Sequence, residues 1–174
     1  MRIILITILL FSSVAHSQVI IGDATGTATD KTSVLLEFAN TGNKGVILPY
    51  VRTLPTTPTE GTILLDASTA TDSRVKYYNG SWVDLSGQNG NVTTALADQP
   101  ITTENTISKV IIGDAAATAD GVLVLESNTK AMVLPIVTSV NNIPNPSPGM
   151  MVYINGAKKR LAVFNGDKWS FWKP

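Results

Sequence analysis

One ordered set of short motifs occurs twice in this chain. The first occurrence runs Gly45-Val46-Ile47-Leu48-Pro49-Tyr50-Val51, then Glu60-Gly61-Thr62-Ile63-Leu64-Leu65-Asp66, then Tyr77-Tyr78-Asn79-Gly80-Ser81-Trp82. The second runs Ala131-Met132-Val133-Leu134-Pro135-Ile136-Val137, then Pro148-Gly149-Met150-Met151-Val152-Tyr153-Ile154, then Phe164-Asn165-Gly166-Asp167-Lys168-Trp169. Upstream of both, Val19-Ile20-Ile21-Gly22-Asp23-Ala24 returns as Val110-Ile111-Ile112-Gly113-Asp114-Ala115, six residues in a row at a shift of 91. The later motifs match at shifts of 86 to 88. Matches that keep their order mark an internal duplication. Length differences fall in the presumed turns, where insertions are tolerated.

Each copy reads as strands. Val19–Ile21 and Val34–Phe38 are apolar and short, and a Gly/Thr/Asp/Ala-rich loop separates them. Gly45–Val51 is a third strand; Pro49 lacks a ladder donor and therefore belongs at an edge or a bulge. Leu54-Pro55-Thr56-Thr57-Pro58 is extended, because two prolines exclude a helix. Thr62–Leu65 is apolar without alternation, which predicts burial on both faces. Asn79-Gly80 predicts a two-residue type I′ hairpin that pairs Tyr78 with Ser81 and Tyr77 with Trp82. In the second copy Asp167 lengthens the turn by one residue and sets Val163 opposite Trp169. With four to six strands per copy and no helical period, the fold class is all-β, two tandem strand/hairpin units.

The chain divides as a signal peptide over 1–17, a first β-repeat unit over 18–85, a linker or partly ordered connection over 86–109, and a second unit over 110–174. Arg2, the apolar stretch Ile3–Phe11 and the small residues Ala15 and Ser17 make up the leader pattern, with cleavage before Gln18. The apolar stretch is too short for a stable span. The expected location is extracellular or at the cell surface, with the periplasm as the other compartment. The connection holds Gly87, Gly90, three Asn and five Thr, yet also Val92, Leu96 and Ile101. Twenty-four residues without structure is long for a compact domain, so partial order is expected, wound around neighbouring chains.

The motif order resembles a repeat found in exported Bacteroidota proteins and phage tail-fibre proteins. In that family a Gly-x-x-Leu-Pro strand precedes a Pro-x-x-Gly strand and a Tyr-Asn-Gly-x-Trp hairpin. Copy one supplies Lys44, Gly45, Leu48, Pro49, Arg52 and Thr53, then Pro58, Gly61 and Asp66, then Tyr78, Asn79, Gly80 and Trp82. Copy two supplies Leu134, Pro135 and Thr138, then Pro146, Gly149, Val152 and Tyr153, then Asn165, Gly166 and Trp169. Tyr50 and Ile136 stand where the family has a second proline, and copy two has Val137-Thr138 where copy one has Val51-Arg52. The resemblance implies a surface or fibre-like architecture, often trimeric, and no catalytic residue.

Chemistry is sparse. There is no cysteine, and the one histidine, His16, leaves with the leader, so Ser-His, Cys-His and His-metal sites cannot be built. Carboxylate pairs remain, Asp66 with Glu60 or with Asp84, but nothing fixes a glycosidase separation. Asp23 and Asp114 follow Ile-Gly at strand ends, where turn hydrogen bonds compete with a calcium reading. The chain is therefore read as non-enzymatic, without cofactor or metal. Net charge is zero, which gives no basic face for nucleic acid. The favoured function is a secreted structural or adhesion protein. The alternative is a soluble carbohydrate-binding module in which Tyr77, Tyr78, Trp82, Trp169 and Trp172 stack on sugars. A third option is a subunit of an envelope assembly. The partners considered are thus other copies of the chain, a surface glycan and an envelope protein.

Each copy is only about 65 residues and has no disulfide. Such units are marginal alone. Runs such as Val46-Ile47-Leu48 and Ile63-Leu64-Leu65 need cover on both faces. Stacked identical chains would provide it, and the resemblance adds three-fold symmetry, giving a homotrimer. The rival arrangement packs the two copies on each other within one chain. For the leader, intact-mass measurement of the natively produced protein is expected to find Gln18 at the N-terminus; a chain that keeps Met1 contradicts it.

Overall fold

Two prolines set the path of the chain. In the computed structural model, which describes residues 18–101, 103, 105 and 107–172, each Leu-Pro step splits one apolar run into two short strands with different partners. The leader assigned to 1–17 lies outside the described residues. Copy one contains β1 (Val19–Ile21), β2 (Val34–Phe38), β3 (Val46–Ile47), β4 (Tyr50–Val51), β5 (Ile63–Asp66), β6 (Arg74–Tyr78) and β7 (Trp82–Asp84). Copy two contains β8 (Val110–Gly113), β9 (Leu123–Glu126), β10 (Ala131–Val133), β11 (Ile136–Val137), β12 (Met150–Ile154), β13 (Arg160–Phe164) and β14 (Trp169–Trp172). One helix, α1 (Thr93–Asp98), lies between them, and a 3₁₀ turn (Val140–Asn142) follows β11. Among the described residues strands hold 35% against this single six-residue helix, and the fold is all-β, with a β-solenoid-like arrangement.

The duplicated units repeat their pairings. In copy one β4 runs parallel to β5, and β5, β6 and β7 form an antiparallel meander. In copy two β11 runs parallel to β12, and β12, β13 and β14 repeat the meander. The register corresponds residue for residue: Ile63 faces Tyr77 as Met151 faces Val163, and Leu64 faces Lys76 as Val152 faces Ala162. Upstream, β1 lies parallel to β2 and β8 lies parallel to β9.

The halves produced by the Leu-Pro steps tie the copies together. β3 pairs antiparallel with β12 of the other copy, and β10 pairs parallel with β2. A single core follows from this exchange. It joins Leu48, Leu65, Val75 and Leu85 of copy one with Met151 and Val163 of copy two. The opposite face of β12 and β13 buries Met150, Val152, Ile154 and Ala162 against Val137 and Ile143. The run Met150–Ile154 is thereby covered on both faces, and in β5 the adjacent Leu64 and Leu65 are both buried, as the lack of alternation in Thr62–Leu65 predicts.

The expected hairpin register needs correction. The hairpins turn one residue further on than Asn-Gly suggests. Tyr78, not Tyr77, pairs with Trp82, and Tyr77 pairs with Val83. The type I′ turn requires positive φ at both central residues. Gly80 has φ +71°, but Asn79 is not in that region. The loop is instead closed by the Asn79 amide donating to the Ser81 carbonyl at 3.0 Å. In copy two Phe164, not Val163, faces Trp169, because Val163 is needed in the core on the other face. The connection, expected to be partly ordered, packs over its first half on its own chain. Val92 and Leu96 enter the common core one helical turn apart. Asn91 Oδ1 accepts from the Thr93 amide at 3.0 Å and so satisfies an orphan donor at the start of α1.

Residues 85–90 are held against copy two by polar contacts. Trp172 Nε1 donates to the Leu85 carbonyl at 2.5 Å, and Ser170 Oγ donates to the Ser86 carbonyl. Asn165, fully buried, donates through Nδ2 to the Gln88 carbonyl at 2.8 Å. The carbonyl of Asn165 accepts from Ser73 Oγ at 2.7 Å. Gly90 bridges to Ser73 there, and a Cβ on it would fall 2.2 Å from the Asn165 carbonyl oxygen. Backbone passes so close that only glycine fits.

Because Leu65 lies in a core built from both copies, Leu65→Ala is expected to cost about 2–5 kcal/mol and to lower one urea transition common to the whole chain. Separate transitions for the two halves, followed by fluorescence of Trp82 and of Trp169 in single-tryptophan variants, would contradict the shared core.

Candidate self-association surface

What the shared core leaves uncovered is strand edge. β8 and β9 form a two-stranded parallel ladder, and β9 pairs with nothing beyond β8 among the described residues. A two-stranded ladder is marginal in water by itself. At the N-terminal ends of its strands side chains are exposed, Val110 at 57% and Leu123 at 48%, as is Val122 just before β9 at 72%, while Val124 is buried. β3 is also an edge, with Ile47 51% exposed. Unpaired amides and carbonyls beside bare apolar side chains form a template for further strand pairing.

The two parallel ladders differ in how they are closed. In copy one the loop between β1 and β2 folds over Glu37, whose side chain is fully buried. The Glu37 carboxylate accepts from the amides of Thr27 and Ala28, each at 3.0 Å, and pairs with Lys31. Gly26 passes directly over the carboxyl group at φ +65°, where any Cβ would collide with it. In copy two the matching residue, Glu126, is half-buried and has no ion-pair partner among the described residues, since Thr118-Ala119-Asp120-Gly121 contains no lysine. Glu126 instead lines a shallow open pocket with Asp114 and Thr118.

The aspartates considered for catalysis or calcium are engaged in local structure. Asp23 Oδ1 accepts from the Thr25 amide at 3.0 Å and the Gly26 amide at 2.5 Å, and Asp114 Oδ1 accepts from Ala116 at 2.9 Å. Asp66 pairs with Lys76 at 2.7 Å and accepts from Ser68. Asp84 pairs with Arg74 at 2.5 Å and takes the Ser86 amide.

The five aromatics proposed for sugar stacking do not form one platform. Tyr77 packs on the common core. Tyr78 and Trp82 meet edge to face, with ring centroids 5.3 Å apart. Trp169 stacks on Phe164 at 5.2 Å over the second cluster. Trp172 is 43% exposed, and its indole N–H is spent on Leu85. Beside it, Arg160 lies 4.0 Å over the Phe171 ring, a cation–π contact that composition does not reveal.

Residues 111–173 match a family described as the phage tail like trimerisation region. The match covers β8 from its second residue through β14. No curated protein and no solved structure matches the chain significantly.

Burial works to raise the pKa of Glu37. The hydrogen bonds from Lys31, Ala28 and Thr27, with the Lys31 charge, outweigh it and hold the carboxyl below its ordinary value. Asp66 follows the same pattern through Lys76 and Ser68. A pKa lowered by folding stabilises the fold above the unfolded value of about 4 and loses that contribution as pH falls through the folded value. Glu37→Gln is therefore expected to lower the urea midpoint at pH 7, with the gap to the parent chain narrowing towards pH 3. A gap independent of pH would show that the carboxylate charge contributes nothing.

Proposed function

We propose that the mature chain is a structural, non-enzymatic subunit of an exported fibre-like assembly at the cell surface, held as a homotrimer and serving in adhesion. The observation that carries this reading is the bare parallel ladder β8–β9, which lies inside the segment matching a family named for trimerisation. A ladder with an open apolar edge is completed most economically by another copy of itself, because closed symmetry satisfies every edge at once. The engagement of Asp66 and Asp84 in ion pairs, together with the absence of cysteine, supports a structural role over a catalytic one. Export rests on the leader pattern of residues 1–17, and adhesion rests on the resemblance to tail-fibre repeats.

Carbohydrate binding is the second reading, favoured by the exposed ring of Trp172 at the end of β14. Flat aromatic faces with a polar neighbour suit a sugar ring.

Light scattering of the mature protein is expected to return the mass of three chains at micromolar concentration. The mass of one chain across that range would overturn the trimer. On a glycan array the structural reading predicts no binding that Trp82→Ala, Trp169→Ala or Trp172→Ala abolishes with the fold retained; such a loss would establish the carbohydrate reading.

A further inference from the structure

The duplication supplies a template for what covers β9. Its counterpart in copy one, β2, is flanked by β1 on one side and β10 on the other. On β9 the first position is held by β8, and the second is empty among the described residues.

Backbone parity identifies the strand that fits. The Ala131 amide donates to the Ser33 carbonyl at 2.8 Å, so Ala131 and, by alternation, Val133 direct their backbone groups at β2. The corresponding residues of copy one are Gly45 and Ile47. There the Leu48 amide donates to the Gly149 carbonyl at 3.1 Å, so Leu48 and Val46 face β12, and Ile47 faces away from it. Thus β3 keeps free the same edge by which β10 docks on β2. The two open edges are also matched in charge. Lys44 precedes β3 and is exposed, while Asp120 precedes β9 and Glu126 ends it; none of the three has an ion-pair partner among the described residues.

We infer that β3 of one chain adds in parallel to the open edge of β9 in a second copy. Carrying over the register of β10 on β2 beyond its bulge places Val46 opposite Leu125 and Ile47 opposite Glu126. Gly45 then falls opposite Val124, because the Val122 carbonyl, the counterpart of the Ser33 carbonyl that Ala131 uses, is taken by the Val110 amide of β8. Lys44 then lies on the acidic side of the ladder, where copy one uses Lys31 on Glu37. The contact is heterologous: each chain gives one edge and receives one, and three such steps close a ring. The inference rests on the trimeric reading and names the contact that builds it.

The absence of native cysteine makes the test direct. Ile47→Cys and Glu126→Cys are introduced on separate, differently tagged chains, which are coexpressed and oxidised. Facing positions on neighbouring strands lie within disulfide range, about 4.4–6.8 Å between Cα atoms. The expected product is a disulfide-linked pair carrying both tags, with no linked pair from either variant alone. A linked pair from one variant alone would mean a two-fold contact and would overturn the inference. Trimeric mass by light scattering with no mixed product would overturn the edge assignment and leave the trimer standing; the mass of one chain would overturn both. Ile47→Lys, at an exposed position, is expected to reduce the mass from three chains to one with the circular dichroism spectrum unchanged. A folded trimer of this variant contradicts the inference.

Discussion

A proline has no amide hydrogen to contribute to a ladder. At Pro49 and Pro135 this lack decides the architecture. Before Pro49 the chain is bonded to copy two, through the Leu48 amide on Gly149. At Pro49 it changes partner: the Pro49 carbonyl accepts from the Leu65 amide at 3.0 Å, and the Val51 carbonyl accepts from Ala67 at 2.9 Å. Copy two repeats the step, with the Pro135 carbonyl accepting from Tyr153 and the Val137 carbonyl from Asn155. Each apolar run therefore serves two sheets. One half joins the other copy, and the second half joins the meander of its own copy. The shared core depends on that division, since it brings Leu48 and Leu65 against Met151 and Val163.

On this common scaffold the copies have diverged in what fills equivalent positions. Asp66 and Lys76 of copy one form an ion pair where copy two places Ile154 and Ala162. Burying a charge pair and burying methyl groups are two solutions to the same space, and the apolar one is often the more stable. In copy two the apolar solution creates the second cluster, roofed by Val137 and Ile143. The opposite bias holds at the parallel ladders. Copy one closes its loop on itself through Glu37 and Lys31, whereas Glu126 of copy two has no such closure. Copy one thus satisfies its ladder within the chain, and copy two presents its ladder outward.

The strand content, the repeat and the burial of both Leu64 and Leu65 were legible because each follows from a local pattern, whether periodicity, proline or order of motifs. The hairpin register was not. Asn79-Gly80 carries a type I′ signal, but the alternation that buries Val75 in the core, and the need to keep Val163 there, fix which residue faces the tryptophan. The helix at Thr93–Asp98 is too short to show a period, and only Val92 and Leu96 mark its buried side. The connection looked polar because its Asn, Gln and Ser side chains are many. Gln88 donates to the Trp169 carbonyl and the Ser170 hydroxyl, while Asn165 and Ser170 donate to carbonyls of the connection, uses that composition cannot distinguish from solvation. Of the candidate surface, the bare side chains of Val110 and Leu123 became visible only once pairing showed which edge was left over.

The split strands join the copies inside the chain and leave the edges of β9 and β3 open among the described residues. Amide hydrogen exchange across a dilution series separates these two roles. The amide of Leu48 should be protected at every concentration, because its acceptor, Gly149, belongs to the same chain. The amides on the open edge of β9 and that of Ile47 should be protected only where chains associate, and should lose protection together on dilution. Fast exchange at Leu48 in the folded monomer, or an unprotected β9 edge in the trimer, would contradict the account.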